Sequence, residues 1–303
     1  GTFTDVVVMK SGEIHRGKAD TTHYDLKGGF MNAARVAAER AGLDLEAALR
    51  SAEAIVYSTT VGTNALIERR GAKLGLITTK GFEHTVAVGR ARNWADGLPP
   101  EKKHDRGRAV RPAPIIPQNR IVGVQERVDN LGKVVIALRD DDVRARVQTL
   151  VDQGVRGFVV VLLNSFVNPA HERRIAELIA EQYPECYLGH MPVYLSHAIS
   201  PKSGEYRRSM TVIIDAYLRE ITEGHLLRLS DDLREIGYQR PVFVAKNTGG
   251  LSSLSRTQAL HLLGSSPAAT VMGADHIGRQ LGLEKPVPLK NLTASVPKPP
   301  HGP

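Results

Sequence analysis

The spacing of apolar and polar positions changes repeatedly along the chain, and each change predicts an element. TFTDVVVM (Thr2–Met9) ends in a continuous apolar run and predicts a strand buried on both faces. MNAARVAAERAG (Met31–Gly42) shifts to a helical period. Alanines and Val36 fall on one side, Arg35, Glu39 and Arg40 on the other, and Gly42 is the stop. EAIVYSTTVGTNALIERRGAKLGLITTKG (Glu53–Gly81) reads as strand, turn, helix, strand. The helix is placed at Thr63–Arg70, ended by Gly71, with KLGLITT as the next strand.

The second half repeats the alternation. RIVGVQERVDNLGKVVIAL (Arg120–Leu138) holds two extended runs meeting at Asn130, Leu131 and Gly132, a hairpin signal. RDDDVRARVQTLVDQGV predicts a helix, with acids in its first turn and Val143, Val147, Leu150 and Val151 at helical spacing. GFVVVLLNSF (Gly157–Phe166) predicts a buried strand. NPAHERRIAELIAEQYP predicts a helix capped by Asn168 with Pro169 at its first position. Ser209–Gly237 reads as a long helix interrupted or kinked near Gly224, and Arg240–Ser253 as a strand followed by a glycine turn. Arg256–Leu283 reads as two helical runs separated by Gly264–Pro267. Alternating strands and helices predict an α/β protein. We expect one lobe over residues 1–119, a second over 120–283 and a disordered tail over 284–303, whose twenty residues hold six prolines.

Composition narrows the classes. A chain of 303 residues, 42% hydrophobic and 24% charged, is that of a globular protein, and no apolar run reaches the ~18 residues of a membrane span. Cys186 is the single cysteine, so no internal disulfide can form, which favours a reducing, cytoplasmic setting. With no basic neighbour it reads as a buried small apolar residue. The net charge of +8 suits an anionic ligand or partner. Arg90–Arg111 carries seven basic residues against three acidic ones and reads as a mobile basic loop, with Arg90, Arg92, Lys102 and Lys103 as anion-binding candidates. Aromatic residues make up 5% and are not interleaved with that loop, which argues against nucleic acid as the partner.

Three turns share one chemistry. GTFTD (Gly1, Thr2, Thr4, Asp5) opens a strand. STTVGTNA (with Thr59, Thr60, Thr63 and Asn64) joins a strand to a helix, and NTGGLSS (Asn247, Gly249, Gly250) follows a strand. Glycine lets backbone approach an anion closely, while hydroxyl and N–H groups supply donors. Taken singly, each turn is more often an ordinary turn, and none matches the Walker or dinucleotide pattern. The eleven histidines show no metal-ligand spacing. The pairs His171 beside Glu172 and His190 seven before His197 read as capping or surface residues, so no metal site is expected.

In order along the chain, GTFTDVVV, STTVGTNALIERRGAKLGLITTKGFEH (Ser58–His84), GFVVVLLNSFVNPAHERRIAELI (Gly157–Ile179), YRRSMTVIIDAYL (Tyr206–Leu218) and NTGGL resemble blocks of the hydantoinase/oxoprolinase family. The resemblance covers about Gly1 to Leu283. KGFEHTVAVGRA and RVDNLGKVVIALRDDDVRARV are similar to the ATP-handling subunit of ketone carboxylases within that family. The resemblance implies an actin-like ATPase (ribonuclease H-like) fold, incomplete here, with a second α/β lobe. It implies ATP with Mg²⁺ or Mn²⁺ as cofactors. Gly1, Thr2 and Thr4 would then bind phosphate, and Asp5 would support that loop or its metal. Thr59, Thr60, Thr63, Asn64, Asn247, Gly249 and Gly250 would line the cleft.

The chain departs from the family pattern at three places. Asp-x-Gly does not precede Gly1, Ala268 and Ala269 stand where a glycine pair is common, and a proline-rich stretch follows Leu283 where a second phosphate loop is expected. The expectation is a fragment with weak or no ATP hydrolysis. Its substrate would be a small carbonyl compound or a cyclic amide such as hydantoin or 5-oxoproline. The partner would be a second type of subunit, with neither nucleic acid nor membrane involved. A non-catalytic module recruiting an anionic partner through the basic loop is the alternative. No catalytic residue is singled out.

Overall fold

A computed structural model of the chain describes residues 3–21, 26–89, 99–102 and 113–282. Strands β1 (Phe3–Lys10) and β2 (Glu13–Asp20) pair antiparallel around Ser11 and Gly12, at φ 52° and 84°, the left-handed pair that a two-residue hairpin requires. β1 differs from the sequence expectation. Thr4, Val6 and Val8 are half-buried, whereas Phe3, Val7 and Met9 are exposed. Helix α1 (Leu26–Arg40) covers one face of the pair, and the opposite face is open among the described residues. α1 buries Ala33, Ala34, Ala37 and Ala38 toward β2, so closely that a Cβ at Gly17 would overlap Ala33 O and Ala37 N. Gly42, at φ 72°, ends the helix as expected.

α2 (Leu45–Ser51) is capped by Asp44, whose carboxylate accepts the Ala47 N–H at 2.6 Å. β3 (Ile55–Tyr57) leads through residues 58–60 into α3 (Val61–Ile67), which starts and stops earlier than the predicted Thr63–Arg70. Arg69, at φ 56°, turns the chain. Gly71 is there for space, since a Cβ would overlap the Tyr217 ring. β4 (Leu74–Thr79) is buried throughout and is followed by the short α4 (Thr85–Val88).

β5 (Ile121–Val124) pairs parallel with β4, so the first run of the predicted hairpin belongs to a sheet. The hairpin itself is β6 (Arg127–Val128) with β7 (Val134–Ile136), and Asp129 Oδ1 accepts the Leu131 and Lys133 N–H groups across its turn. α5 (Asp140–Asp152) follows, burying Val143, Val147 and Leu150, and then the fully buried β8 (Gly157–Val161). α6 (Ala170–Gln182) begins one residue after Pro169, and Asn168 Oδ1 accepts the Ala170 N–H at 3.1 Å. β9 (Val193–Leu195) and α7 (Ser196–Ile199) lead to α8 (Glu205–Glu235).

α8 is continuous through Gly224, contrary to the expected break. A helical glycine costs only about 1 kcal/mol, too little to override the burial of Val212, Ile213 and Ala216 before it and Leu226, Leu229 and Leu233 after it. β10 (Val242–Ala245) and β11 (Leu251–Ser253) form a third hairpin. α9 (Ser265–Gln280) takes Ser265, Ser266 and Pro267 into its first turn, and the helical run expected before it is one 3-10 turn, Ala259–Leu262. Cys186 lies on an exposed turn between α6 and β9 rather than in a core, because the chain crosses the surface there.

The chain divides into two compact units: Gly1–Asn64 with Glu223–Pro303, and Ala65–Thr222. The first holds the β1–β2 pair and a three-stranded sheet ordered β11-β10-β3. Its core joins Phe30, Met31, Leu49, Leu229, Leu233 and Val242. The second holds a four-stranded, all-parallel sheet ordered β5-β4-β8-β9, with α5 and α6 packed on it through Val143, Val147, Ile175 and Leu178. A break near Arg120 would cut this sheet between β4 and β5, so the structure divides elsewhere than at 119/120. The predicted tail lies outside the described residues.

Candidate functional site

In the first unit, β3 and β10 run parallel with Tyr57 opposite Val244, so the turns that follow them leave the same end of the sheet. Residues 58–64 and 246–250 therefore leave the sheet on the same side. Tyr57 anchors the first turn. Its ring packs edge-on to Phe30 at 5.9 Å, and its hydroxyl lies 2.9 Å from His225 Nε2. Burial pushes the Tyr57 phenol up, countered in part by a hydrogen bond with Thr59. Burial, helped by the nearby Arg228, pushes His225 below its ordinary value and so favours the neutral imidazole.

Beyond Tyr57, Thr59 Oγ1 accepts the Val61 N–H at 3.2 Å, and the Asn64 N–H donates to Thr60 O at 2.8 Å. Thr60 is exposed, and Thr59, Thr63 and Asn64 are half-buried around a buried Gly62. With seven residues, α3 adds little helix dipole.

The second turn is a hairpin loop. Gly249 and Gly250, at φ 74° and 83°, allow Lys246 N–H to reach Gly250 O at 3.1 Å. Asn247 is engaged: its N–H donates to His261 O at 2.7 Å and its side chain to Leu260 O at 3.0 Å. Gly249 also leaves room for Met272, whose sulfur a Cβ would overlap.

Thr4 and Asp5 stand on the other sheet of this unit. Thr4 Oγ1 lies 3.0 Å from Thr21 Oγ1, and the exposed Asp5 carboxylate lies 3.7 Å from Lys18 Nζ. Val6 packs into the same core as Ile55 and Tyr57. Gly1, Thr2, Arg90, Arg92 and Lys103 lie outside the described residues. Lys102 is exposed at the end of a short helical turn, Pro100–Lys102.

The second unit holds a polar network that the sequence reading missed. Glu172, fully buried, accepts the Leu162 N–H at 3.0 Å and the Ser196 hydroxyl at 2.6 Å on Oε1. Its Oε2 accepts the His197 N–H at 3.0 Å and lies 2.7 Å from His197 Nδ1. Burial alone would raise this carboxyl. The bonds from the His197 ring, Ser196, and the His197 and Leu162 N–H groups outweigh it, and hold the carboxyl below its ordinary value.

Beside it, His171 Nδ1 lies 2.8 Å from Glu126 Oε2, and Thr79 donates to Glu126 Oε1 while accepting the Leu163 N–H at 2.9 Å. Arg208, buried above the Phe166 ring, donates to Leu162 O at 2.7 Å and to Lys202 O at 2.9 Å. His171, on Glu126, and Glu172, on Ser196 and His197, are thus buried members of this network, not surface or capping residues. His190 is exposed, its Nδ1 3.4 Å from Tyr183 O. One signal was available: Glu172 falls on the buried stripe of α6 with Ile175 and Ile179. Among the described residues no three His, Cys, Asp or Glu side chains converge as metal ligands, and no helix is long and apolar enough to cross a membrane.

Comparison with known proteins places this architecture. The acetophenone carboxylase gamma subunit of Aromatoleum aromaticum is 39% identical over 287 residues, covering 95% of this chain and 39% of that protein. The acetone carboxylase beta subunit of Xanthobacter autotrophicus is 30% identical over 283 residues, covering 93% of this chain and 39% of its own length. Among solved structures, nucleotide-free acetone carboxylase matches with a TM-score of 0.86 at 29% identity, over 93% of this chain and 40% of that one. The ATP-dependent caprolactamase of Pseudomonas jessenii matches at 0.81 and 25% identity, again over 93% and 40%. The chain spans about two-fifths of the length of these relatives, and the mixed α/β fold with a parallel sheet is shared with them. The family models described as hydantoinase/oxoprolinase N-terminal region and hydantoinase/oxoprolinase match residues 1–183 and 208–288 in that order, and with both of its compact units so matched the chain belongs to the hydantoinase/oxoprolinase family.

Proposed function

We propose that this chain is the N-terminal, nucleotide-handling segment of an ATP-dependent hydantoinase/oxoprolinase-type enzyme, of the ketone carboxylase kind. In this reading the fold is actin-like and the first unit holds the phosphates. The observation that carries it is the placing of two donor-rich turns, 58–64 and 246–250, at one end of the parallel β3–β10 pair. Relatives whose names carry ATP-dependent reactions add support.

Phosphoryl transfer depends on positioning and charge neutralisation more than on covalent help from the protein. Thr59, Thr60, Thr63 and Asn64 would supply hydroxyl, amide and N–H donors on one side of the phosphates. Gly249 and Gly250 would offer backbone on the other, with Asn247 holding the loop in place. Gly1, Thr2 and Thr4 would form a further phosphate contact. Mg²⁺ or Mn²⁺ binds through one or two carboxylates together with phosphate oxygens and water, which the exposed carboxylate of Asp5 fits, and when bound it would neutralise phosphate charge.

The substrate in this reading is a small carbonyl compound, and the partner is a second kind of subunit, as the word subunit in the relatives' names suggests. A cyclic amide is the second reading, favoured by the match to caprolactamase. Hydrogen exchange with and without MgATP tests the nucleotide reading. Slower exchange is expected at 58–64 and 247–250, reduced at least several-fold in Thr60→Ala. Equal exchange at both turns with saturating MgATP would overturn it.

A further inference from the structure

The second unit has two acid–imidazole pairs for which nucleotide binding has no use. Its sheet order, β5-β4-β8-β9, puts the first strand in sequence between the second and the third, so the winding reverses between β4 and β8. In open parallel sheets, ligands bind outside the carboxyl ends of the strands at such a reversal. The network stands at these ends. Thr79 closes β4, Glu126 follows β5, Leu162 and Leu163 follow β8, and Ser196 and His197 follow β9.

Glu172 is held ionised and can only accept, so the proton on its bond to His197 sits on Nδ1. With Nδ1 turned to Glu172, Nε2 is the ring nitrogen of His197 left to meet a ligand. Neither His197 Nε2 nor His171 Nε2 has a partner among the described residues, and the two side chains are 16% and 11% exposed. Bracing the loops accounts for the carboxylates, which bind backbone N–H and hydroxyl groups. It does not account for two partly open imidazoles oriented from behind, the arrangement that makes an imidazole a directed base.

Charge selects the ligand. Two carboxylates, Glu126 and Glu172, stand in this network, and Arg208, which lies near Glu172, is committed to carbonyl oxygens. An anion is disfavoured there, and a neutral donor is not.

We propose that the carboxyl end of this sheet is a binding site for a small uncharged compound bearing an N–H or O–H group, with His197 Nε2 as the acceptor of that proton. If transfer completes, the proton leaves the ligand for Nε2 and the ligand keeps the electron pair. The resulting imidazolium keeps its Nδ1–H on Glu172. The site is independent of nucleotide.

Histidine ring NMR of the full chain tests it, with 2-pyrrolidone as a neutral N–H probe and acetate as an anionic one, and with His197→Gln and His171→Gln assigning the signals. The His197 signal is expected to shift saturably with millimolar 2-pyrrolidone and not with acetate. Glu172→Gln should weaken this about tenfold, the loss of one charge-assisted hydrogen bond. Should that variant unfold, the wild-type titration decides alone. A His197 signal unmoved by 2-pyrrolidone, or moved equally by acetate, overturns the proposal.

Discussion

His225, half-buried, and Glu172, fully buried, are ionisable groups with depressed values, and they act on stability in different pH windows. The His225 imidazole is held neutral by burial and by Arg228, below the ordinary 6.5. Its unfolded form binds a proton that the folded form refuses, so stability falls as pH drops below 6.5. Urea midpoints measured between about pH 7.5 and about pH 5.5 should therefore decline, and His225→Gln should flatten that decline. Glu172 contributes fully above its ordinary 4.5 and loses that contribution as pH falls through its lower folded value. Its slope should appear only at the acid end and vanish in Glu172→Gln. The partners of neither group were legible in sequence. Tyr57 and His225 are 168 residues apart, and Glu172 and His197 are 25 apart. Pairings at such separations come from how strands and helices are stacked, which no local pattern encodes.

Among the elements, α1, α5 and β8 follow their patterns closely because one face or the whole segment meets a core. β1 does not, because an apolar run records what could be buried and not whether a second layer lies against it. Phe3, Val7 and Met9 are as apolar as Val6 and Val8, and only α1 on one side separates them. Close packing by small residues was equally hidden. Gly17→Ala would drive a methyl into the backbone of α1, and a loss of about 3 kcal/mol is expected in chemical denaturation. Asp44→Ala removes only the cap bond to Ala47 and should cost about 1 kcal/mol. Equal effects from the two substitutions would contradict the tight β2–α1 contact.

At the scale of the molecule, one unit is continuous in sequence and the other is not. Ala65–Thr222 has a core of its own, running from Ile77 through Leu150 and Phe158 to Ile179, and a complete four-stranded sheet. Expressed alone, residues 65–222 should unfold cooperatively on heating, with helix and strand content retained in circular dichroism. A non-cooperative profile would count against a separate core. The first unit, assembled from both ends of the chain, has no such excisable form. The sequence by itself determined the α/β class, most elements and the family, because hydrophobic period, turn residues and ordered motif blocks are local properties. It also marked the turns at 58–64 and 247–250. Only the tertiary structure decided that those turns share one end of a sheet, that the divide falls away from residue 120, and that Glu172 and His197 meet in a buried network. Each depends on which strands lie side by side, and strand order is set by packing free energy summed over the whole chain.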